Sequence, residues 1–452
     1  MEQIKENKMG TMRINKLLIS MSLPMVISML VQALYNIVDS IYVARLSEEA
    51  LTAVSIAFPM QNLMIAAATG LGVGINALLS RSLGEKNYEN ANKSAINGIM
   101  LELIACAVFM ILGFTVTHMF YTAQVGEGAI TELGIEYLRI VMIASAGMFC
   151  QICFERLLQA TGKTVLSMIT QCFGAVINII LDPILIFGLL GAPKMGISGA
   201  AFATVIGQMC AAAAAIIINI KFNKEIHISF RSFRPDGYAV KNILAVGVPS
   251  MIMQSIGSVM TFGMNKLLNG FSSTAVAVFG VYFKLNSFIF MPVFGLNNGM
   301  VPIVAYNYGA HHRRRITDTV RYSVIYAVAL MTIGMLLFLF IPDKLLMLFK
   351  PSEHMVSIGV VALRIICLSF PFAGICIVIS SVFQALGRGM LSMFVSITRQ
   401  LIILLPSAYL LSLLGNINLV WWSYCIAEIA SISLSVIFYL QIYNKIIKPL
   451  EK

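Results

Sequence analysis

The sequence predicts an all-α membrane protein with twelve transmembrane helices in two six-helix lobes, and three observations carry that reading. Its 452 residues are 59% hydrophobic and only 11% charged, against about 25% charged residues in soluble domains. The charges are clumped between apolar runs long enough to cross a bilayer at about 1.5 Å per residue. Finally, the chain repeats itself at an offset of 249 − 24 = 225 residues, which lays Pro24 on Pro249, Phe58 on Phe283, Gly70-Leu71 on Gly295-Leu296, Gly74 on Gly299 and Gly84 on Gly309. The same register lays Gln159-Ala160 on Gln384-Ala385, Gly162 on Gly387 and Leu166-Ser-Met168 on Leu391-Ser-Met393. One apolar helix resembles another by chance, but loop glycines and prolines do not keep one register by chance.

The spans fall near 17–44, 52–79, 94–118, 133–160, 165–190, 196–220, 242–268, 274–304, 319–341, 356–386, 390–414 and 419–443. The first follows Arg13 and Lys16 and runs on through Pro24 to Ala44. It is too long for a signal-peptide apolar region and no small-residue cleavage site ends it, so it is expected to stay as a span. The second ends at Arg81 and Gly84, and the third begins after Lys93. The fourth carries Glu155 and Arg156 near its end, and the fifth holds one charge, Asp182, followed at once by Pro183. The sixth starts at Gly196 and stops at Lys221, where a polar stretch with Arg231, Arg234 and Pro235 reads as a linker. The expected organisation is therefore a first lobe at 1–220, a cytoplasmic linker at 221–241 and a second lobe at 242–452. Six spans return the chain to the side it left, so the repeats are parallel about a pseudo-twofold along the membrane normal. Transporters use this plan with the substrate path between the halves.

With the amino terminus inside, 21 of the 31 Lys and Arg fall on that side, and only Arg45, Lys194, Lys344 and Lys350 lie in opposite loops. Basic residues accumulate in cytoplasmic loops, so both termini are expected to be cytoplasmic. That placement also accounts for the formal charge of +11 without nucleic acid. The densest basic run, His311-His-Arg-Arg-Arg315, is a topology anchor or a docking patch for anionic lipid. All eight cysteines (106, 150, 153, 172, 210, 367, 376 and 425) lie in apolar segments, where thiols act as small hydrophobes. Cys150-x-x-Cys153 is read that way too. The five histidines make no ligand set, and no His-Glu-x-x-His or Gly-x-Ser-x-Gly occurs in a span. No enzyme activity and no cofactor are expected.

The acids to explain are Asp39, Glu102, Glu155, Asp182 and Glu428, because ionisable groups inside spans face a protein interior or watery cavity and mark ion or substrate paths. The repeat distributes polar groups unequally. Asp39 aligns with Met264, Asn178 with Ile403, Asp182 with Ser407 and Thr204 with Ile429, and no Asp or Glu occurs between Lys241 and Ala310. Asp39 lies six residues before Arg45, Asp182 nine before Gly191 and Thr204 eight after Gly196, each roughly 9 to 13 Å below one surface. They can share a level. Asn178 and Asp182, and Tyr35 and Asp39, are four apart and so share helical faces. Pro183 leaves the carbonyl of Ile179 unpaired and Pro24 does the same for Ser20, which suits a cation site or a bending helix. Two close carboxylates in low dielectric cannot both ionise cheaply, so the pair should take up a proton or small cation. The alternative is a pair of neutral acids hydrogen-bonded to Asn178, Tyr35 and Thr204. Glu155 beside Arg156 reads as a local ion pair, and Glu102 as either kind of acid. Glu428 reaches the same depth from the second half and, with Gln32, is a candidate lining residue of a substrate cavity. The 28 Met and 27 Phe are compatible with an adaptable apolar pocket.

These residues resemble a known family, the multidrug and toxic compound extrusion (MATE) transporters of the MepA-like and DinF-like branch. The matching stretches are Leu23-Pro-Met25 with Tyr35-Asn-Ile-Val-Asp39, Ser80-Arg-Ser-Leu-Gly84, Asn178-Ile-Ile-Leu-Asp-Pro183, Gly199-Ala-Ala-Phe-Ala-Thr204, Val301-Pro-Ile-Val-Ala-Tyr-Asn307 and Trp421-Trp-Ser-Tyr-Cys-Ile-Ala-Glu428. The resemblance implies a secondary active antiporter that exports amphipathic, cationic drug-like compounds in exchange for H+ or Na+ by alternating access. It also implies a first-lobe cation site at positions matching Asp39, Asn178, Asp182 and Thr204, with the carbonyl of Ala200 as a further ligand and Pro24 and Tyr35 nearby. Another branch uses acids of its seventh and tenth spans, and this chain has none there. A monomer in the cell membrane is expected, with the lipid bilayer as its only partner besides substrate. The competing reading is a flippase or dedicated metabolite exporter on a related two-lobe fold. Its phosphate-bearing substrate would call for Arg or Lys in the second lobe, where Lys266, Lys284 and Arg399 are available.

Overall fold

The computed structural model describes residues 7–228, 234–349 and 351–450, and every regular element among them is helical. In chain order these are α1 (Lys8–Thr11), α2 (Ile14–Ala44), α3 (Glu48–Gly84), α4 (Tyr88–Thr115), α5 (Thr117–Val125), α6 (Ala129–Ile143), α7 (Ala146–Ala160), α8 (Thr164–Phe187) and α9 (Ile197–Phe222). There follow α10 (Gly237–Asn269), α11 (Ser273–Gly309), α12 (Arg313–Phe340), α13 (Pro342–Met347), α14 (Glu353–Ile366), α15 (Phe370–Ala385), α16 (Gly389–Ile397), α17 (Leu405–Ser412), α18 (Ile417–Val420) and α19 (Trp422–Ile442). Among the described residues eleven helical stretches are long and apolar enough to cross a membrane, and α6 with α7, bent by 44°, makes twelve when the pair is taken as one span. The expected spans and all-helical class are thus borne out. The described parts of the linker lie between α9 and α10; Arg231, with Lys5, Lys350 and Lys452, falls outside the described residues.

Two compact units emerge from the packing. Ile27–Met251 makes up most of the first, while the second joins Lys8–Val26 to the chain from Ile252 onward. Two helices are therefore divided, α2 after Val26 and α10 after Met251. The glycines that mark the repeat explain how. A Cβ on Gly70 would stand 2.5 Å from Met251 Cγ, and one on Gly74 would stand 2.2 Å from the Ile243 carbonyl oxygen, so α3 takes the first half of α10 against its backbone. In the second unit a Cβ on Gly295 would meet Val26 Cα at 2.7 Å and one on Gly299 would meet Ser22 Cα at 2.7 Å, so α11 takes the first half of α2 in the same way. Glycines four apart let helix backbones approach closely inside membranes. Ser22 seals the second contact by donating to the Leu296 carbonyl at 3.1 Å.

Gly74→Ala should therefore overpack a backbone contact and destabilise the protein by about 1–3 kcal/mol, read as a lowered thermal unfolding midpoint in detergent. Gly280→Ala is the control, because nothing lies within 4 Å of its would-be Cβ and alanine is the better helix former.

Arg315, from the basic run, is engaged within its own unit. Its Nε donates to Asn307 Oδ1 at 2.9 Å, and an Nη donates to the carbonyls of Met9 and Met12 at 2.9 and 2.8 Å. Asn307 Nδ2 donates to the same Met9 carbonyl at 3.0 Å. This clamp satisfies carbonyls that end α1, while Arg313 donates to the Tyr443 hydroxyl at 2.9 Å. A run read only for its charge fastens chain segments together.

Candidate cation site

The site lies wholly in the first unit, where α8 and α9 cross almost backbone to backbone. A Cβ on Gly174 would be 2.9 Å from the Gly207 carbonyl oxygen, and one on Gly199 would be 2.5 Å from that of Leu185. Glycine is required at both crossings, and the stretch between them faces Asn178 and Asp182 of α8 toward Thr204 of α9. Asn178 Nδ2 donates at 3.4 Å to Asp182 Oδ1 and at 3.4 Å to Thr204 Oγ1. Asp182 is 0% and Asn178 3% exposed. Ala200 is fully buried one turn before Thr204, packed in an apolar cluster with Ile186 and Ile197. α8 continues through Pro183 to Phe187, so the proline sits inside the helix, next to the acid, without ending it.

On α2, Asp39 is half-buried and close enough to act electrostatically on Asp182. The decisive feature is the supply of oxygens. Asp39 Oδ1, Asn178 Oδ1 and Asp182 Oδ2 are buried and have no hydrogen-bond partner among the described residues. Buried acceptors are nearly always served, and each unserved one costs about 1–3 kcal/mol. Two carboxylates, an amide oxygen and a hydroxyl make a hard, all-oxygen set of the kind that suits a non-transition cation. Among the described residues no three or more His, Cys, Asp or Glu could hold a metal ion.

Tyr35 lies one turn below Asp39 and senses both acids. So does Tyr137 of α6, whose hydroxyl accepts from Gln61 Nε2 at 3.2 Å. Sequence reasoning missed Tyr137 and Gln61; a lone glutamine between Pro59 and Gly70 in an apolar span was the available signal. Gln32 accepts from Gln171 Nε2 at 3.1 Å, and Gln171 in turn accepts from the Ser28 hydroxyl, which ties α2 to α8. Pro24 lies in the half of α2 that belongs to the other unit.

The remaining acids are not brought to this site. Glu155 accepts from Gln151 Nε2 at 3.0 Å and Thr170 Oγ1 at 3.3 Å. Glu428 lies in the second unit, where its Oε1 accepts from Arg399 at 2.8 Å. Of the other second-unit cations, Lys284 places its ammonium 6.0 Å from the centre of the Phe349 ring.

A polytopic helical repeat with a buried polar site in one unit has the architecture of a membrane transporter. The MatE family model matches residues 24–184 and again 249–410, and its two copies begin at the prolines that opened the repeat. The chain belongs to the MatE family. It is 26% identical over 432 residues to the multidrug export protein MepA of Staphylococcus haemolyticus, covering 95% of this chain and 94% of that one. It is also 26% identical to MepA of Staphylococcus aureus strain N315, over 94% of this chain and 93% of that one. Among solved structures, a MATE complex with MaL6 matches with a TM-score of 0.92 and 25% identity, over 99% of this chain and 100% of that one. A Pyrococcus furiosus transporter of the MOP superfamily, described as having a binding pocket of reverse polarity, matches with a TM-score of 0.91 and 25% identity over the whole of both chains.

Proposed function

We propose that the protein is a multidrug efflux antiporter that exports amphipathic, often cationic, compounds in exchange for H+ or Na+ by alternating access. The observation that carries this is the trio of unserved buried oxygens on Asp39, Asn178 and Asp182, in a half whose repeat partner holds Met264, Ile403 and Ser407 at the same positions. An empty site sets two carboxylates against each other in low dielectric; a proton or Na+ relieves that repulsion and draws α2, α8 and α9 together. Asn178 joins the acid of α8 to the hydroxyl of α9, so occupancy is felt by both helices, and the Ala200 carbonyl would complete the set. Expulsion of substrate then follows if the occupied and empty forms favour opposite openings.

In this reading 1–220 and 242–452 are the rocking lobes and 221–241 is their cytoplasmic linker. The protein works as a monomer in the cell membrane, with both termini inside. The multidrug export function named for the MepA relatives supports the substrate class. A phosphate-bearing substrate is disfavoured because Arg399 already answers Glu428. Dye efflux from vesicles under a pH gradient alone and then under a Na+ gradient alone tests the antiport. One gradient should drive efflux; efflux that ignores both would refute ion coupling.

A further inference from the structure

Glu102, in the middle of α4, is 2% exposed, and neither of its carboxylate oxygens has a hydrogen-bond partner among the described residues. It plays no part in the site above. α4 packs on α3, α5, α6 and α7, and the ionisable groups around Glu102 are Arg156, Cys150 and Cys153 of α7 and Cys106 of its own helix. The charged group that acts on Glu102 is Arg156. Arg156 faces two acids at once, Glu102 and Glu155.

These three groups divide unequally. Glu155, 5% exposed, receives hydrogen bonds from Gln151 and Thr170 and lies beside Arg156. The arginine also donates to Gln159 Oε1 at 2.9 Å, and its stem packs under Gly72, where a Cβ would be 2.7 Å from Arg156 Cγ. Glu102 receives no hydrogen bond and is surrounded by thiols. One guanidinium compensates one carboxylate, so the cluster is neutral only with a proton on one of its two carboxyls, and Glu102 is the one that no hydrogen bond serves. A bare carboxylate in its place would be buried, unserved and uncompensated, which is far more costly than burying the neutral acid.

The cluster is also separate in space from the Asp39 and Asp182 site. Thr170 and Asn178 lie two turns apart on α8, about 12 Å, and the Gly174–Gly207 crossing fills the space between them, with a would-be Gly174 Cβ only 2.7 Å from Ala211 Cβ. Gln171, the polar side chain next to Thr170 on that stretch, turns to Gln32 and Ser28 of α2. A proton on Glu102 would therefore be counted separately from the ion at Asp182.

We propose that Glu102 is a second proton-binding site of the first lobe, loaded and discharged once per transport cycle as α4 and α7 open and close. This rests on the antiport reading of the preceding section. The test reconstitutes the full-length protein in vesicles and measures the proton-to-substrate ratio from the gradients that just halt net flux, with tetraphenylphosphonium as the probe. Glu102→Gln should lower that ratio by a full proton, leave tetraphenylphosphonium affinity unchanged and retain transport. An unchanged ratio would overturn the proposal. Should Glu102→Gln fail to fold, the wild-type protein still decides. A hydrophobic carbodiimide, which modifies protonated carboxyls in apolar surroundings, should label Glu102 during turnover and lose that labelling as the pH is raised. Labelling at Asp182 with none at Glu102 would overturn it equally. If no ion gradient moves the probe in the wild type, the antiport reading itself fails and takes this proposal with it.

Discussion

Asp182→Asn should reduce ion-driven efflux from proteoliposomes at least tenfold, about 1.4 kcal/mol of lost driving interaction, without unfolding the protein. The substitution keeps the size and shape of the side chain, and Asn178 can still donate to its remaining carbonyl oxygen. What it removes is the negative charge facing Asp39 and the capacity to exchange a proton at that position. The thermal midpoint should hold or rise, because a buried group whose Oδ2 has no partner contributes function at the expense of stability. Thr204→Ala should act in the same direction and more weakly, since it deletes a neutral ligand and one 3.4 Å hydrogen bond. Asp182→Asn vesicles that pump as well as the wild type would leave the unserved oxygens without a purpose.

The second large effect is expected in the other lobe and on stability. Arg399 lies on a π-helical turn, Thr398–Leu404, which bulges the chain between α16 and α17, and its 2.8 Å pair with Glu428 is formed at side-chain exposures of 26% and 10%. Arg399→Met removes the cation and strands the acid. Breaking a buried pair in this way costs about 3–5 kcal/mol, and the partial exposure of Arg399 puts the expected value at the lower end. Replacing both partners, Arg399→Met with Glu428→Leu, should recover most of the loss, because no charge is left unpaired. Thermal melts of the two single variants and the double variant supply the cycle. Purely additive losses would mean that the two groups are not energetically coupled. The pairing also bears on substrate recognition: Glu428, read from sequence as a candidate lining residue of a substrate cavity, meets a cation within the chain.

Much of the fold is legible in the sequence because a bilayer leaves few options. Apolar runs of span length must be helices, and a charge inside one has few explanations, so Asp39 and Asp182 stand out from sequence, with Asn178 and Thr204 joined to them by spacing, depth and the unequal repeat. Tyr137 and Gln61 do not, because a single tyrosine or glutamine in an apolar helix is ordinary; only the packing of α3 against α6 brings the two together, near the acids. The glycines at 70, 74, 295 and 299 are visible as register marks, but their work as seats for α10 and α2 is not. Hydropathy assigns a residue to a span and says nothing of which neighbours the span's two ends choose. The division of α2 and α10 between compact units is illegible for the same reason. Breaks inside spans are mixed. Pro371 announces the short interruption at Cys367–Ser369 between α14 and α15, whereas nothing comparable marks the bend between α6 and α7 at Ala144 and Ser145. Arg399 reads as an available cation until its partner on α19 is known.

The most direct test of a one-lobe cation site asks for binding without transport. Purified protein free of substrate is titrated with Na+ at fixed pH, and proton release is followed in weakly buffered solution over a pH ramp, for the wild type and for Asp182→Asn. The account predicts that the wild type binds either Na+ or a titratable proton at this site and that Asp182→Asn abolishes that event while Arg399→Met with Glu428→Leu preserves it. Equal binding by the wild type and Asp182→Asn, or its loss only in the second-lobe double variant, would contradict the placement of the site.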